Sequence, residues 1–150
     1  MEIMKNNIII LFILISLLFS NDKFNYKIKY FGIHVAGCSI LSSDTLFNNE
    51  SSKKITFNVK TKPFFKFFFP INNKYSIILN ENNRILSFIK NTSQPKVENF
   101  LKTKIINNRV VYDNHDFEIL PNYYNIFSVL YIIMSGDTLP EDFIIALKYP

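Results

Sequence analysis

The sequence has no tryptophan, one cysteine, three glycines, two alanines and two arginines among 150 residues. A single thiol, Cys38, cannot close an intramolecular disulfide, so stability must come from a hydrophobic core even in an oxidising compartment. Its default place is that of a small buried apolar residue. The shortage of arginine removes the usual reader of bases and phosphates, and the lysines behind the net charge of +5 form no block of five, so nucleic acid is not an expected partner. No glycine-rich phosphate loop, nucleophile elbow or zinc-ligand spacing is present, and no cofactor or metal is expected. Linkers rich in Pro, Gly and Ser are missing, as are repeats of solenoid period, which at 17.7 kDa leaves one domain and excludes a multidomain enzyme. What is present is apolar: 48% hydrophobic and 16% aromatic residues against 19% charged ones exclude a disordered chain. The 23 Ile, 19 Asn and 15 Lys reflect AT-rich codons more than function.

Ile8 to Phe19 is an apolar run broken only by Ser16, after a short segment holding one Lys and one Glu. As a helix, these 12 residues rise roughly 18 Å, short of the roughly 30 Å bilayer core, so residues 1–20 read as a secretory signal rather than a stable span. Cleavage would start the mature chain near Asn21; an uncleaved N-terminal membrane anchor is the alternative. The expected location is the periplasm or outer envelope.

Beyond the leader, period-two alternation dominates. Phe24, Tyr26, Ile28 and Tyr30 alternate with Asn25, Lys27 and Lys29, the pattern of a half-buried strand. Phe31 to Gly37 holds two of the three glycines and reads as a bend or bulge, with extended chain resuming at Cys38 to Leu41. A turn over Asn48 to Lys54 precedes a strand at Ile55 to Val59. Tyr75 to Leu79 and Ile85 to Ile89 flank Asn80 to Arg84 as a hairpin, and Phe100 to Ile106 with Arg109 to Tyr112 flank Asn107-Asn108 as a tighter one. Ile126, Val129, Leu130 and Ile133 instead follow helical spacing, with Asn125 as N-cap and Gly136 as stop. A last strand is expected at Phe143 to Leu147. The expected fold is therefore mainly β: a strongly curved antiparallel sheet or partial barrel with one packed helix, in a single domain over 21–150, with C-terminal incompleteness left open.

Pro63-Phe64-Phe65-Lys66-Phe67-Phe68-Phe69-Pro70 places five aromatic rings in eight positions. Read as a strand, it is greasy on both faces. It is then either core buried by ordinary packing, or an edge whose Phe64, Phe65, Phe67, Phe68 and Phe69 bind a ligand or partner. His115, within Asp113-Asn114-His115-Asp116, and the nearby Glu118 supply the residues of an alternative, an envelope hydrolase. His34 and Cys38 lie four apart, roughly 13 Å along an extended chain and too far for proton transfer. No catalytic residue is assigned.

Tyr26-Lys27-Ile28-Lys29-Tyr30-Phe31-Gly32-Ile33-His34-Val35-Ala36-Gly37 is similar to the opening strand and glycine bend of the bacterial exported family catalogued as domain of unknown function 3108. Asn125-Ile126-Phe127-Ser128-Val129-Leu130-Tyr131 resembles that family's short helix, and Tyr75 and Arg109-Val110-Val111-Tyr112-Asp113 fit its pattern. Ile132-Ile133-Met134 stands where an Arg often ends the family's helix. The resemblance implies a curved antiparallel sheet in the envelope and transfers no catalytic residue. The resulting expectation is non-catalytic binding of a lipid, a glycan or another hydrophobic envelope partner, with peripheral membrane contact compatible.

Overall fold

The computed structural model describes residues 22–120 and 123–146, so the expected leader lies outside the described residues. Eight strands, β1 (Lys23–Tyr30), β2 (Ile33–Phe47), β3 (Glu50–Thr61), β4 (Asn72–Leu79), β5 (Ile85–Gln94), β6 (Val97–Ile106), β7 (Arg109–Tyr112) and β8 (His115–Glu118), pair in chain order as one antiparallel meander. The sheet stays open, with β1 and β8 as its edges. The mainly β architecture expected from the sequence is thus the one found.

The asparagine surplus has a structural use. Three hairpins turn on two residues that both have positive φ: Phe31-Gly32 (47° and 77°), Asn48-Asn49 (53° and 67°) and Asn107-Asn108 (51° and 59°). Such turns match the right-handed twist of paired strands, and Asn enters the left-handed region at lower cost than most residues. Because the Asn48-Asn49 turn is so short, β2 and β3 run unbroken to it. The sequence, read as a polar turn over Asn48 to Lys54, understated both strands. At Asn80 to Arg84 the Asn80 side chain accepts from the Asn82 and Arg84 amides at 3.0 and 2.9 Å, closing the expected longer loop.

Register assigns the faces. Phe24, Ile40, Phe57 and Tyr75 lie side by side on one face, as do Ile55, Ile77 and Phe88. This inner face is covered by helix α1 (Ile126–Ser135), whose Phe127 stacks on Tyr75 and Phe88 with ring centroids 4.3 and 5.7 Å apart. Tyr131 is buried in the same cluster, its hydroxyl 3.3 Å from Ser42 Oγ. Lysines and asparagines populate the outer face. Buried hydroxyls are satisfied within the ladder, Ser87 donating to the Thr103 carbonyl at 2.9 Å.

Two differences from the sequence reading concern the helix region. Of the face read as Ile126, Val129, Leu130 and Ile133, only Val129 is buried and the other three are exposed, while Phe127 and Tyr131 face the sheet and Val129 and Ile132 form a second small cluster with Tyr124. A helix that is apolar all round carries no single stripe to read, and the aromatic side chains have more surface to bury than the isoleucines. The last strand, β10 (Ile144–Ala146), pairs with β9 (Tyr123–Asn125) in parallel, not with the main antiparallel sheet. A helix between two strands returns the chain in the same direction, as parallel pairing requires.

The helix ends follow the expectation. Asn125 Oδ1 accepts from the Ser128 amide at 2.8 Å while Ser128 Oγ accepts from the Asn125 amide at 3.1 Å, a reciprocal capping box. Gly136, at φ 80°, closes the C-terminus in the left-handed region. Both cap side chains are fully buried, so Asn125→Ala is expected to lower stability by about 1–2 kcal/mol, measured by urea denaturation. A change near zero would show that the cap contributes nothing to holding the helix on the sheet.

Candidate functional site

The aromatic stretch is not a strand. Pro63–Phe67 forms a 3₁₀ turn inside the connection between β3 and β4. The reason is register: Val59 pairs with Asn73 and Lys60 with Asn72, so everything between must reverse the chain. Proline at the first helical position suits a turn, since it has no amide to leave unpaired. The loop is pinned at its base, where Thr61 Oγ1 donates to the Phe69 carbonyl at 2.6 Å and accepts from the Ile71 amide at 3.1 Å. Internally, the Phe65 and Lys66 amides donate to the Lys62 carbonyl, both at 3.0 Å.

This geometry turns the rings outward. Phe64, Phe67, Phe68 and Phe69 are 76%, 89%, 61% and 66% exposed, and only Phe65 is half-buried. Ordinary core burial, the bland reading of the stretch, is thereby excluded for four of the five. Each exposed Phe forgoes about 1.5–3 kcal/mol of burial, which folding alone does not explain. Edge-to-face pairs Phe64–Phe65 and Phe67–Phe68, with centroids 5.1 and 5.3 Å apart, hold the rings as two small blocks.

The β1–β2 hairpin tip lies at the same end of the sheet, since the Lys62 amide donates to the Val35 carbonyl at 2.9 Å. There Tyr30 and Phe31 are exposed and pack edge-to-face at 4.6 Å. Phe31 is doubly unusual: it is 87% exposed, and its φ of 47° is a conformation that bulky side chains rarely adopt. Sequence reasoning treated the bend only as a place for glycine and missed Tyr30 and Phe31.

Charge is unevenly distributed along the chain. Residues 23–43 and 51–80, which supply most of β1 to β4 and the aromatic loop, contain nine lysines and no Asp or Glu. Asp44, Glu50, Glu81 and Asp137 gather at the opposite end, where the Asn83 side chain donates to Asp137 at 3.4 Å. Glu98, beside the β5–β6 turn, is the acidic exception near the aromatic end. The aromatic end is therefore basic, while the opposite end is mixed, its carboxylates interleaved with Lys53, Lys54 and Arg84.

The residues of the alternative hydrolase reading do not converge. His115 and Glu118 are three apart on the short edge strand β8, so their side chains leave opposite faces. Asp113 occupies the adjoining turn at φ 46°, and the His115 ring rests beside Tyr112 with centroids 5.6 Å apart. Asp116 is engaged by Arg109, whose hydrogen bond holds its carboxyl below the usual carboxylate range. Among the described residues no group of three or more His, Cys, Asp or Glu is close enough together to hold a metal. Cys38 is half-buried and desolvation pushes its thiol up, away from the reactive thiolate. A register shift after Ile28 leaves Val35 without a partner in β1, so His34 lies opposite Lys29 on the outer face while Cys38 lies opposite Tyr26 on the inner one.

Fold and surface together define an open antiparallel meander, closed on one face by a helix, with an aromatic and lysine-rich end. No protein-family model matches the chain, and comparison with curated proteins and with solved structures finds no match. Among the described residues no helix is long and apolar enough to cross a membrane.

Proposed function

We propose that this chain is a non-catalytic, exported bacterial envelope protein that attaches by its aromatic end to an anionic lipid surface. The observation that carries this reading is the coincidence, at one end of the sheet, of four exposed phenylalanines, the exposed Tyr30 and Phe31, and lysines including Lys29, Lys62 and Lys66. Aromatic rings gain burial in the headgroup region while ammonium groups stay in water and are attracted to anionic lipid, about 1 kcal/mol per Lys near the surface. Export rests on the leader-like residues 1–20 and on the sequence resemblance to the exported family; N-terminal sequencing of the protein from its host is expected to start near Asn21.

Co-sedimentation with lipid vesicles tests the reading. The protein is expected to bind vesicles rich in phosphatidylglycerol, to bind purely zwitterionic vesicles weakly, and to be released as salt rises, because exposed charges are screened within about 8–10 Å at physiological salt. Equal indifference to both vesicle types would overturn it.

Phe31 gives a second, independent measurement. Asparagine followed by glycine is the sequence best suited to a two-residue turn with both φ positive, and the left-handed region costs most other residues about 1–2 kcal/mol. Phe31→Asn is therefore expected to raise stability by about 1 kcal/mol and to weaken vesicle binding. Gain of stability with unchanged binding would remove Phe31 from the docking surface.

A further inference from the structure

On the outer face, one residue in from the aromatic end of β3, the sheet has a hollow of about 580 Å³. Its centre is Gly37. Register puts Lys27 on one side of Gly37 and Lys60 on the other, with Asn25 and Asn58 flanking Ser39 in the next row. Where a side chain would project between the two lysines there is none, and a Cβ built on Gly37 meets nothing closer than the Tyr26 carbonyl oxygen at 3.9 Å. The backbone does not require glycine here, since Gly37, unlike Gly32 and Gly136, does not have a positive φ. Val35, without a partner in β1, brings His34 onto the outer face and into the lining of the same hollow.

We propose that this hollow binds a phosphate group carried on a small polyol or sugar. The lining contains two ammonium groups and an imidazole but no carboxylate, and among the described residues neither Lys27 nor Lys60 forms an ion pair. Lys27 and Lys60 stand two strand spacings apart, roughly 9–10 Å between backbones, with long side chains able to converge over Gly37. A doubly charged tetrahedral oxyanion engages both ammonium groups at once; a single carboxylate satisfies one. The hollow is larger than a bare phosphate needs, and Asn25 and Asn58 offer both donors and acceptors for hydroxyl groups beside it. Lysine acts as a flexible point charge, so the site does not need the fixed fork of an arginine, which the chain almost lacks.

The test uses the two histidines as reporter and control, because His34 lines the hollow and His115 sits on the far edge strand β8. Glycerol 1-phosphate titrated into the purified protein is expected to shift the His34 imidazole resonances saturably and to leave those of His115 in place; glycerol alone is expected to shift neither. Lys60→Gln is expected to weaken binding about tenfold or more, as loss of a charged hydrogen bond does. Gly37→Val, which adds a strand-favouring side chain in open space, is expected to abolish it without unfolding the sheet. No saturable His34 shift, or equal affinity in Lys60→Gln and Gly37→Val, would overturn the proposal. Vesicles of phosphatidylglycerol phosphate, whose headgroup ends in a glycerol phosphomonoester, added to the saturated protein separate the two sources of such a group: release of glycerol 1-phosphate assigns the hollow to a lipid headgroup, and retention assigns it to a soluble ester. Because the ligand is soluble, this result is independent of whether the aromatic end docks on a membrane.

Discussion

Replacing Phe67 and Phe68 together with serine is expected to detach the protein from anionic vesicles while leaving its urea midpoint nearly unchanged. The two rings are 89% and 61% exposed and pack edge-to-face on each other, so the folded state loses little buried surface. At the bilayer they have the most to gain, about 1.5–3 kcal/mol for each ring fully removed from water, and losing both corresponds to roughly a hundredfold or more in affinity. Co-sedimentation and denaturation on the same samples give the two numbers. A variant that unfolds would show these rings to be core after all, and one that still binds would remove the aromatic loop from the docking surface. The half-buried Phe65 is a useful contrast, since its loss should cost stability as well as binding.

The largest stability change is expected elsewhere, at Phe88→Ala. Phe88 is 2% exposed, lies beside Ile77 in the ladder and stacks against Phe127 from the helix, so truncation opens a cavity at the joint between helix and sheet. Burial and cavity terms together give about 3–5 kcal/mol. Against a typical total of about 5–15 kcal/mol, that is enough to leave a large unfolded fraction in mild denaturant. A loss under about 1 kcal/mol would mean that the helix does not close the inner face. The contrast between Phe88 and Phe67 is the sharpest available: the same residue type, in the same sheet protein, with opposite expected effects on stability and on lipid binding.

His115→Ala is expected to alter neither quantity, because nothing in the geometry of β7 and β8 gathers its neighbours into a catalytic group. Asp116, the carboxylate closest to it in sequence, is committed to Arg109. The proposed phosphate hollow and the aromatic end use separate residues, so variants in one can be read without disturbing the other.

Period-two alternation by itself determined that this is a β protein, because an alternating strand has one face to bury and only a sheet with a covered face can bury it. Local chemistry likewise determined the turns and caps: Asn107-Asn108 and Asn80 to Arg84 reverse the chain where their side chains make positive φ or amide capping cheap, and Asn125 and Gly136 bound the helix for the same kind of reason. These are effects within a few residues, and a few residues suffice to read them. Which way the helix faces was settled only by packing, because a segment apolar on every side acquires an inside only when Phe127 and Tyr131 meet the sheet. The aromatic stretch became an exposed loop only because β3 and β4 pair in the register that leaves residues 62–70 between them; its composition is equally compatible with a buried strand. A single residue without a partner in β1, Val35, moved His34 to the face opposite Cys38, and an alternating pattern contains no trace of one extra residue until the partner strand is in place. The aromatic end and the Gly37 hollow are therefore products of strand pairing, which joins residues 27, 37 and 60 that are far apart in the chain.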